Sequence, residues 1–284
     1  EAWSVKTERV RRMSRFGGHP GWGLSAVIVK AGDDLRQEQF AMLLLGRIKE
    51  VWDAQGLGLH LRTYSILATS PSSGLIEMVP DSVSLSSLRK KLPGFTTLAE
   101  FYRQAFGGAG SATFMAAQDN FMRSTAAYSV CCYVLKLKDR HDGNILIQRD
   151  GSVVHVDFGF MLGRHMNEVL TVERAPFKLT RDYVDLMGGE HSACFLQYIA
   201  LCIQGLKVLR NHSAELLSIC KAMAVGSPLA CVSTPRELLD LEERLCLHKT
   251  DKEMVDTFVS LQSQALRSWS TTAYDRLQKL LGVY

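Results

Sequence analysis

A chain of 284 residues that is 46% hydrophobic at a mean hydropathy of 0.00 is long enough for two lobes around a cleft and has the balance of a globular protein with a substantial core. Its net charge of +4 and pI near 8.7 suit an anionic membrane surface but fall well short of a nucleic-acid binder, and no arginine-rich tract points to an RNA or DNA partner. Seven cysteines, an odd number with Cys131-Cys132 adjacent and no Cys-x-x-Cys, imply neither a disulfide scaffold nor a zinc site and fit reduced thiols in the cytoplasm. The start at Glu1-Ala2-Trp3 lacks an initiator methionine, as expected of a fragment of something longer. The chain shows no signal peptide and no uncharged run of about 20 apolar residues.

The first turn-rich stretch, Phe16-Gly17-Gly18-His19-Pro20-Gly21-Trp22-Gly23, leads into a predicted strand over Ser25–Lys30. Its glycines allow close backbone approach to phosphates, although the spacing matches no standard phosphate loop. Lys30 ends a run of β-branched residues, where its ammonium is placed to reach phosphate oxygens. Gly32-Asp33-Asp34 then opens a helix to about residue 54, with Asp33 or Asp34 as N-cap and Leu44, Leu45, Ile48, Val51 and Trp52 as its apolar stripe. Glu38, in the first or second turn, is placed to pair with Lys30.

Tyr64–Ala68 and Gly74–Val79 read as two strands around a Ser/Pro-rich turn, the second leading to an inter-lobe hinge near Glu77–Val79. Beyond them the pattern is helical over 97–106 and 112–137, separated by Gly107, Gly108 and Gly110, and again near 181–188, 192–210, 213–225, 234–247 and 251–281. A β-rich front and an α-rich back predict an α+β, two-lobed kinase-like fold, residues 1–80 forming the N-lobe and 81–284 the C-lobe.

Chemistry concentrates at Asp139-Arg140-His141-Asp142-Gly143-Asn144 and at Asp157-Phe158-Gly159. A carboxylate five residues ahead of an Asn, followed by Asp-Phe-Gly, is the spacing of an ATP-dependent phosphotransferase, with Asn144 and Asp157 as metal ligands. Asp-Arg-His inverts the protein-kinase order and points away from ordinary protein kinases. Asp150-Gly151 is a strong two-residue hairpin signal, and such a turn would set Asn144 directly opposite Asp157 with Cβ atoms roughly 5 Å apart. One carboxylate and one amide oxygen suit magnesium, which shares its shell with phosphates and water.

Several blocks resemble the phosphatidylinositol 3-/4-kinase superfamily, most of all its beta-type 4-kinases: Arg9–Ser14 with Pro20-Gly21-Trp22, Val27 to Glu38, Lys138–His141, Val156–Phe160, and Phe177–Thr180 with Met187-Gly188-Gly189. The resemblance spans nearly the whole chain. It implies transfer of the ATP γ-phosphate to the 4-hydroxyl of phosphatidylinositol in membranes, with Mg2+, or Mn2+, as metal. Lys30, Ser14 and Glu38 would serve the phosphate end, Glu77 and Val79 the hinge, and Tyr64, Leu146 and Val156 the adenine pocket. Asp139 and His141 would divide the proton transfer and charge stabilisation, either being a candidate base. Phe160 to Phe177 would be the activation loop, and Arg164, Arg174 and Lys178 are expected to grip the headgroup. The family usually has Asn where this chain has Asp142, whose charge is expected to raise the His141 pKa.

The resemblance further implies a cytoplasmic location, peripheral on Golgi or other internal membranes, with small GTPase and adaptor partners engaged outside this chain. Leu266, Trp269, Leu277, Leu280 and Leu281 beside Arg267, Arg276 and Lys279 form an amphipathic stretch, better read as packing on the lobe than as membrane contact. Alternatives are a related Ser/Thr protein kinase, disfavoured by the closing Leu281-Gly282-Val283-Tyr284, and an inactive nucleotide-binding scaffold, disfavoured by intact Lys30, Asp139, Asn144 and Asp157.

Overall fold

Alternating β-branched residues in the first third of the chain form an antiparallel sheet. The computed structural model describes residues 1–163, 175–226 and 229–267. β1 (Val27–Ala31), β2 (Ile66–Ser70) and β3 (Ser73–Glu77) lie in the order β1-β3-β2. Ile28 pairs with Ile76, and Ile76 with Ile66, giving the sheet one apolar face. α2 (Arg36–Ala54) packs against β2 and buries Leu44, Leu45, Ile48, Val51 and Trp52, the predicted stripe.

Two local expectations change here. The N-cap of α2 is Leu35, without a side-chain cap, because the helix starts later than Asp33 or Asp34 would set it. Asp34 instead accepts from the Arg36 amide at 3.1 Å and grips the Arg36 guanidinium at 2.8 and 2.6 Å. The sequence pattern also gave no sign of α1 (Trp3–Met13), which has no buried residue and therefore no apolar stripe to read. Its start is tied down by the Trp3 amide, which donates to Asp81 Oδ1 at 2.7 Å.

A second sheet of order β4-β5-β6 is made by β4 (Ser82–Ser84), β5 (Ile145–Gln148) and β6 (Val153–His155). α3 (Leu85–Lys91) and α5 (Ala112–Val134) pack on it, and α4 (Leu98–Phe106), α6 (Arg181–Leu186), α7 (Ala193–Asn211), α8 (Ser213–Ala224), α9 (Pro235–Arg244) and α10 (Asp251–Arg267) complete the helical part. α7 is long and apolar enough to span a bilayer by length and composition alone. It packs along α5 as a core helix, with Phe195, Tyr198, Cys202, Leu206 and Leu209 buried and Tyr198 Oη 2.9 Å from Ser129 Oγ. None of the seven cysteines is in a disulfide. The architecture is the mixed α+β type the sequence predicts.

The β5–β6 hairpin has a different register from the expected one. Ile145 pairs with His155 and Ile147 with Val153, so the loop is the three residues Arg149, Asp150 and Gly151, closed by Gln148 N to Ser152 O at 2.9 Å. Gly151 sits at φ +86°, the left-handed position such a loop requires, and a Cβ there would meet Ala117 Cβ at 2.8 Å. Asn144 therefore faces Val156, whose amide donates to the Asn144 carbonyl at 3.0 Å, and Asp157 lies one residue beyond the pairing.

Candidate active site

A cavity of about 400 Å³ lies between the first sheet and the β5–β6 hairpin. Ile28, Tyr64, Ile76, Leu146 and Val156 give it apolar walls, and Glu77, Met78, Val79 and Ser82 close one end. Lys30, Glu38, Asn144 and Asp157 line it as well, so a flat apolar slot and a charged site share one cleft. Among the described residues the Val79 amide has no hydrogen-bond partner, while the Val79 carbonyl accepts from Ser82 Oγ at 2.8 Å. One main-chain donor is thus left at the closed end. Glu77 contributes through its carboxylate, which accepts from the Ser65 amide at 2.8 Å and holds the approach to β2.

Lys30 Nζ lies 3.6 Å from Glu38 Oε1 and 3.8 Å from Asp33 Oδ2. The Glu38 side chain is only 8% exposed. Burial pushes its pKa above the ordinary value, Lys30 opposes that rise, and the Asp157 carboxylate adds to it. A cation near Asp157 would offset the part of that rise due to its carboxylate.

Asp139 and Asp157 adopt left-handed backbone conformations, φ +64° and +63°, which a non-glycine residue holds only when its surroundings enforce it. Arg140 is fully buried and does this enforcing. Its Nε donates to the Lys138 carbonyl at 2.9 Å, its Nη1 to the Val156 carbonyl at 2.8 Å and its Nη2 to the Asp157 carbonyl, with the guanidinium over the Phe158 ring at 5.1 Å. Asn144 Nδ2 donates to the Asp139 carbonyl at 3.0 Å, which assigns the amide oxygen as the atom left for a cation. Asn144 and Asp157 supply one amide and one carboxylate oxygen to the cleft, a donor set that suits a magnesium ion completed by phosphate and water. Among the described residues there is no cluster of three or more His, Cys, Asp or Glu that would cage a metal alone.

The His141 ring accepts from the Gly143 amide at Nδ1, 3.0 Å, and its Nε2 lies 3.9 Å from Asp139 Oδ2. The expected rise in its pKa is reversed: burial is the largest influence and lowers it, Asp139 opposes, and Arg140 and Lys178 lower it further. The Asp142 carboxylate is engaged by two cations on other elements. Lys178 Nζ donates to Asp142 Oδ1 at 2.7 Å, and Arg89 Nε lies 2.9 Å from Asp142 Oδ2 while its Nη2 reaches Asp182 Oδ2 at 2.8 Å.

That network also removes Lys178 from the headgroup-binding role expected of it, since its side chain is 1% exposed and committed to Asp142. Ser14 is not brought to the cavity either; its hydroxyl accepts from the Phe16 amide at 3.2 Å and from Trp22 Nε1 at 3.3 Å. Arg164 and Arg174 lie outside the described residues, as does the tail from Trp269 to Leu281. Sequence reasoning assigned no role to Gln37, Arg140 or Arg89. The first two sit inside quoted motifs, but their partners are main-chain atoms that no letter pattern reveals.

A Lys–Glu pair over a slot floored by Asn and an Asp-Phe-Gly segment, with a β-rich half above a helical half, defines a kinase-like fold. The sequence matches the phosphatidylinositol 3- and 4-kinase family over residues 24–234, well over half of its length. It is 41% identical to a phosphatidylinositol 4-kinase of Dictyostelium discoideum, covering all of this chain and 24% of that protein. It is 39% identical to phosphatidylinositol 4-kinase beta 1 of Arabidopsis thaliana and 37% identical to phosphatidylinositol 4-kinase beta of Xenopus laevis, in each case over 99% of this chain and over 25% and 34% of the relative. The chain belongs to the phosphatidylinositol 3- and 4-kinase family, and it spans a quarter to a third of the length of these relatives.

Proposed function

We propose that this chain is the catalytic part of a lipid kinase that moves the γ-phosphate of ATP to the 4-hydroxyl of phosphatidylinositol, giving phosphatidylinositol 4-phosphate. The observation that carries this reading is the convergence of Lys30, Glu38, Asn144 and Asp157 on one cleft in a chain whose relatives are named phosphatidylinositol 4-kinases. The adenine fits the slot between Tyr64, Leu146 and Val156 and takes the Val79 amide as donor. Lys30, held by Glu38, meets the phosphates. Asn144 and Asp157 would hold Mg2+, which when bound neutralises phosphate charge.

Phosphoryl transfer is mostly positioning and charge stabilisation. The inositol oxygen forms a bond to the γ-phosphorus as the bond to the ADP oxygen breaks, and the hydroxyl proton goes to a base. The geometry favours Asp139 as that base. His141 Nδ1 is occupied by the Gly143 amide and its neutral form carries the proton on Nε2, so the ring is a donor towards Asp139 and the phosphoryl oxygens.

The site on Golgi or other internal membranes, and small GTPase or adaptor partners reached through chain beyond these residues, belong to the same proposal. The test incubates the chain with Mg-ATP and phosphatidylinositol vesicles, resolves the product isomers chromatographically, and runs Asp157→Ala in parallel. The 4-phosphate, lost in the variant, is expected. The 3-phosphate would move the chain to the sister activity, and phosphorylated protein without lipid product would replace the reading with a protein kinase.

A further inference from the structure

The backbone carbonyls from Val156 to Phe160 form an unbroken run of acceptors, each met by a donor from outside the segment. Arg140 takes Val156 and Asp157, the Lys138 amide takes Phe160 at 3.0 Å, and between them Gln37 Nε2 reaches the Gly159 carbonyl at 2.6 Å and the Phe158 carbonyl at 3.4 Å. Lys138 and Arg140 belong to the catalytic loop. Among the described residues, Gln37 is the donor to this run that comes from α2, and its side chain is buried at 3% exposure. The next residue, Glu38, turns to Lys30. One helical turn therefore grips the Asp157-Phe158-Gly159 backbone with one residue and the phosphate-facing lysine with the next.

We propose that Gln37 is a positioning residue, a latch that ties α2 to the Asp157-Phe158-Gly159 segment so that the Lys30–Glu38 pair and the Asp157 carboxylate come into place together. The physical basis is the conformation of Asp157. Its φ of +63° is held by Arg140 on one side of the segment, and the carbonyls that follow, Phe158 and Gly159, turn away from the catalytic loop and rely on α2. Without the Gln37 amide, the half-buried Gly159 carbonyl and the buried Phe158 carbonyl lose this donor, and the segment gains a reason to leave α2. Displacement of α2 would then disturb the metal ligand and the lysine in one motion, whatever the acceptor of the phosphate. The inference rests on the catalytic reading for the meaning of Asp157, but its test needs no lipid.

Gln37→Leu and Gln37→Met remove the donor while keeping a side chain of similar length, and two variants are used so that one that misfolds leaves the other, with circular dichroism checking the fold. Nucleotide affinity is titrated with Mg2+ and with EDTA, and amide hydrogen exchange is followed across residues 157–161. The latch predicts that affinity in Mg2+ weakens roughly tenfold, that affinity in EDTA, which senses the shift of Lys30 without the metal ligand, falls by clearly less, about threefold, and that exchange of the segment accelerates by about the same factor as the Mg2+ loss. Exchange and Mg2+-dependent affinity unchanged from the parent would overturn the latch. So would an equal loss with Mg2+ and with EDTA, which is the mark of packing damage alone. If the parent chain yields no lipid product yet shows the Mg2+-specific effect of Gln37, the lipid-kinase reading falls and the latch stands. If the parent shows no Mg2+-dependent binding, the exchange rates alone decide.

Discussion

Replacing Lys178 tests whether its burial is structural. Its ammonium is enclosed and bonded to Asp142 at 2.7 Å, and Asp142 shares its other oxygen with Arg89 at 2.9 Å. Removing one partner of a buried pair costs roughly 3–5 kcal/mol, because a charge is left without compensation in a poorly solvated site. Arg89 still faces Asp142, and the Asp142 side chain keeps 10% exposure, so Lys178→Met belongs at the lower end, about 3 kcal/mol. At about 2 cal/mol/K of unfolding entropy per residue, a chain of 284 residues has roughly 0.6 kcal/mol/K, and the melting temperature should fall by about 5 °C. Asp142→Asn in the same chain should recover part of that loss, giving a coupling of roughly 1–3 kcal/mol in a double-mutant cycle read by thermal melts. Added salt should change the coupling little, since buried pairs are weakly screened. A drop below about 1 °C, or strictly additive single and double variants, would refute the account and return Lys178 to the headgroup.

Glu38→Gln separates stability from activity. The folded protein raises the Glu38 pKa above 4.5, so ionised Glu38 costs stability as pH rises from 4.5 through its folded pKa. The variant should melt higher at pH 7.5, lose that advantage below pH 4.5, and turn over more slowly; an unchanged melting temperature would show that Lys30 fully offsets burial. The histidines act with the opposite sign. Burial holds His141 below 6.5 and His155 well below it, so the folded state favours their neutral forms and stability is lost as pH falls beneath 6.5. His155→Phe should flatten that acid limb in melts from pH 7.5 to 5, and a limb unaltered by it would assign the loss elsewhere. Gly151→Ala combines a left-handed φ with a Cβ 2.8 Å from both Ala117 Cβ and the Ala117 carbonyl, and should cost about 2–4 kcal/mol. Gly56→Ala, at φ +64° in open space, is the control and should cost about 1 kcal/mol; equal melting temperatures for the two would show that the Ala117 approach is unimportant.

Patterns of apolar spacing and glycine punctuation placed most of the described helices within a few residues, from α2 to α9, because most bury an apolar stripe and several end at a turn signal. The same logic explains the misses. α1 buries nothing, and α3 is a seven-residue helix whose cap, Ser84 accepting from the Ser87 amide at 3.1 Å, is clearer than its periodicity. From the sequence Lys178 reads as a headgroup ligand and Asp142 as a charge acting on His141, because burial of a polar residue is decided by partners far along the chain, here Arg89 on α3. The Lys30–Glu38 pair was legible because only eight residues and one turn into α2 separate them.

The hairpin brings Asn144 and Asp157 to one cleft by a geometry other than the one its letters suggest. Asp150-Gly151 announces a turn, yet the letters do not distinguish a two-residue loop from a three-residue loop with glycine at its left-handed end. The two-residue version would have kept Asp157 in the ladder, extended and directly across from Asn144. In the observed register the ladder ends at Val156, so Asp157 is released from pairing and can adopt φ +63°. Arg140 then captures the freed carbonyl, and the Asn144 and Asp157 side chains meet in the cleft by a turn of the backbone instead of by cross-strand pairing. That arrangement leaves the position of the Asp157 carboxylate dependent on donors outside the sheet. A ladder residue would be as rigid as its strand; Asp157 depends on contacts from outside the sheet, Arg140 at its own carbonyl and, at the carbonyls that follow, Gln37 from a helix on the opposite side of the cleft.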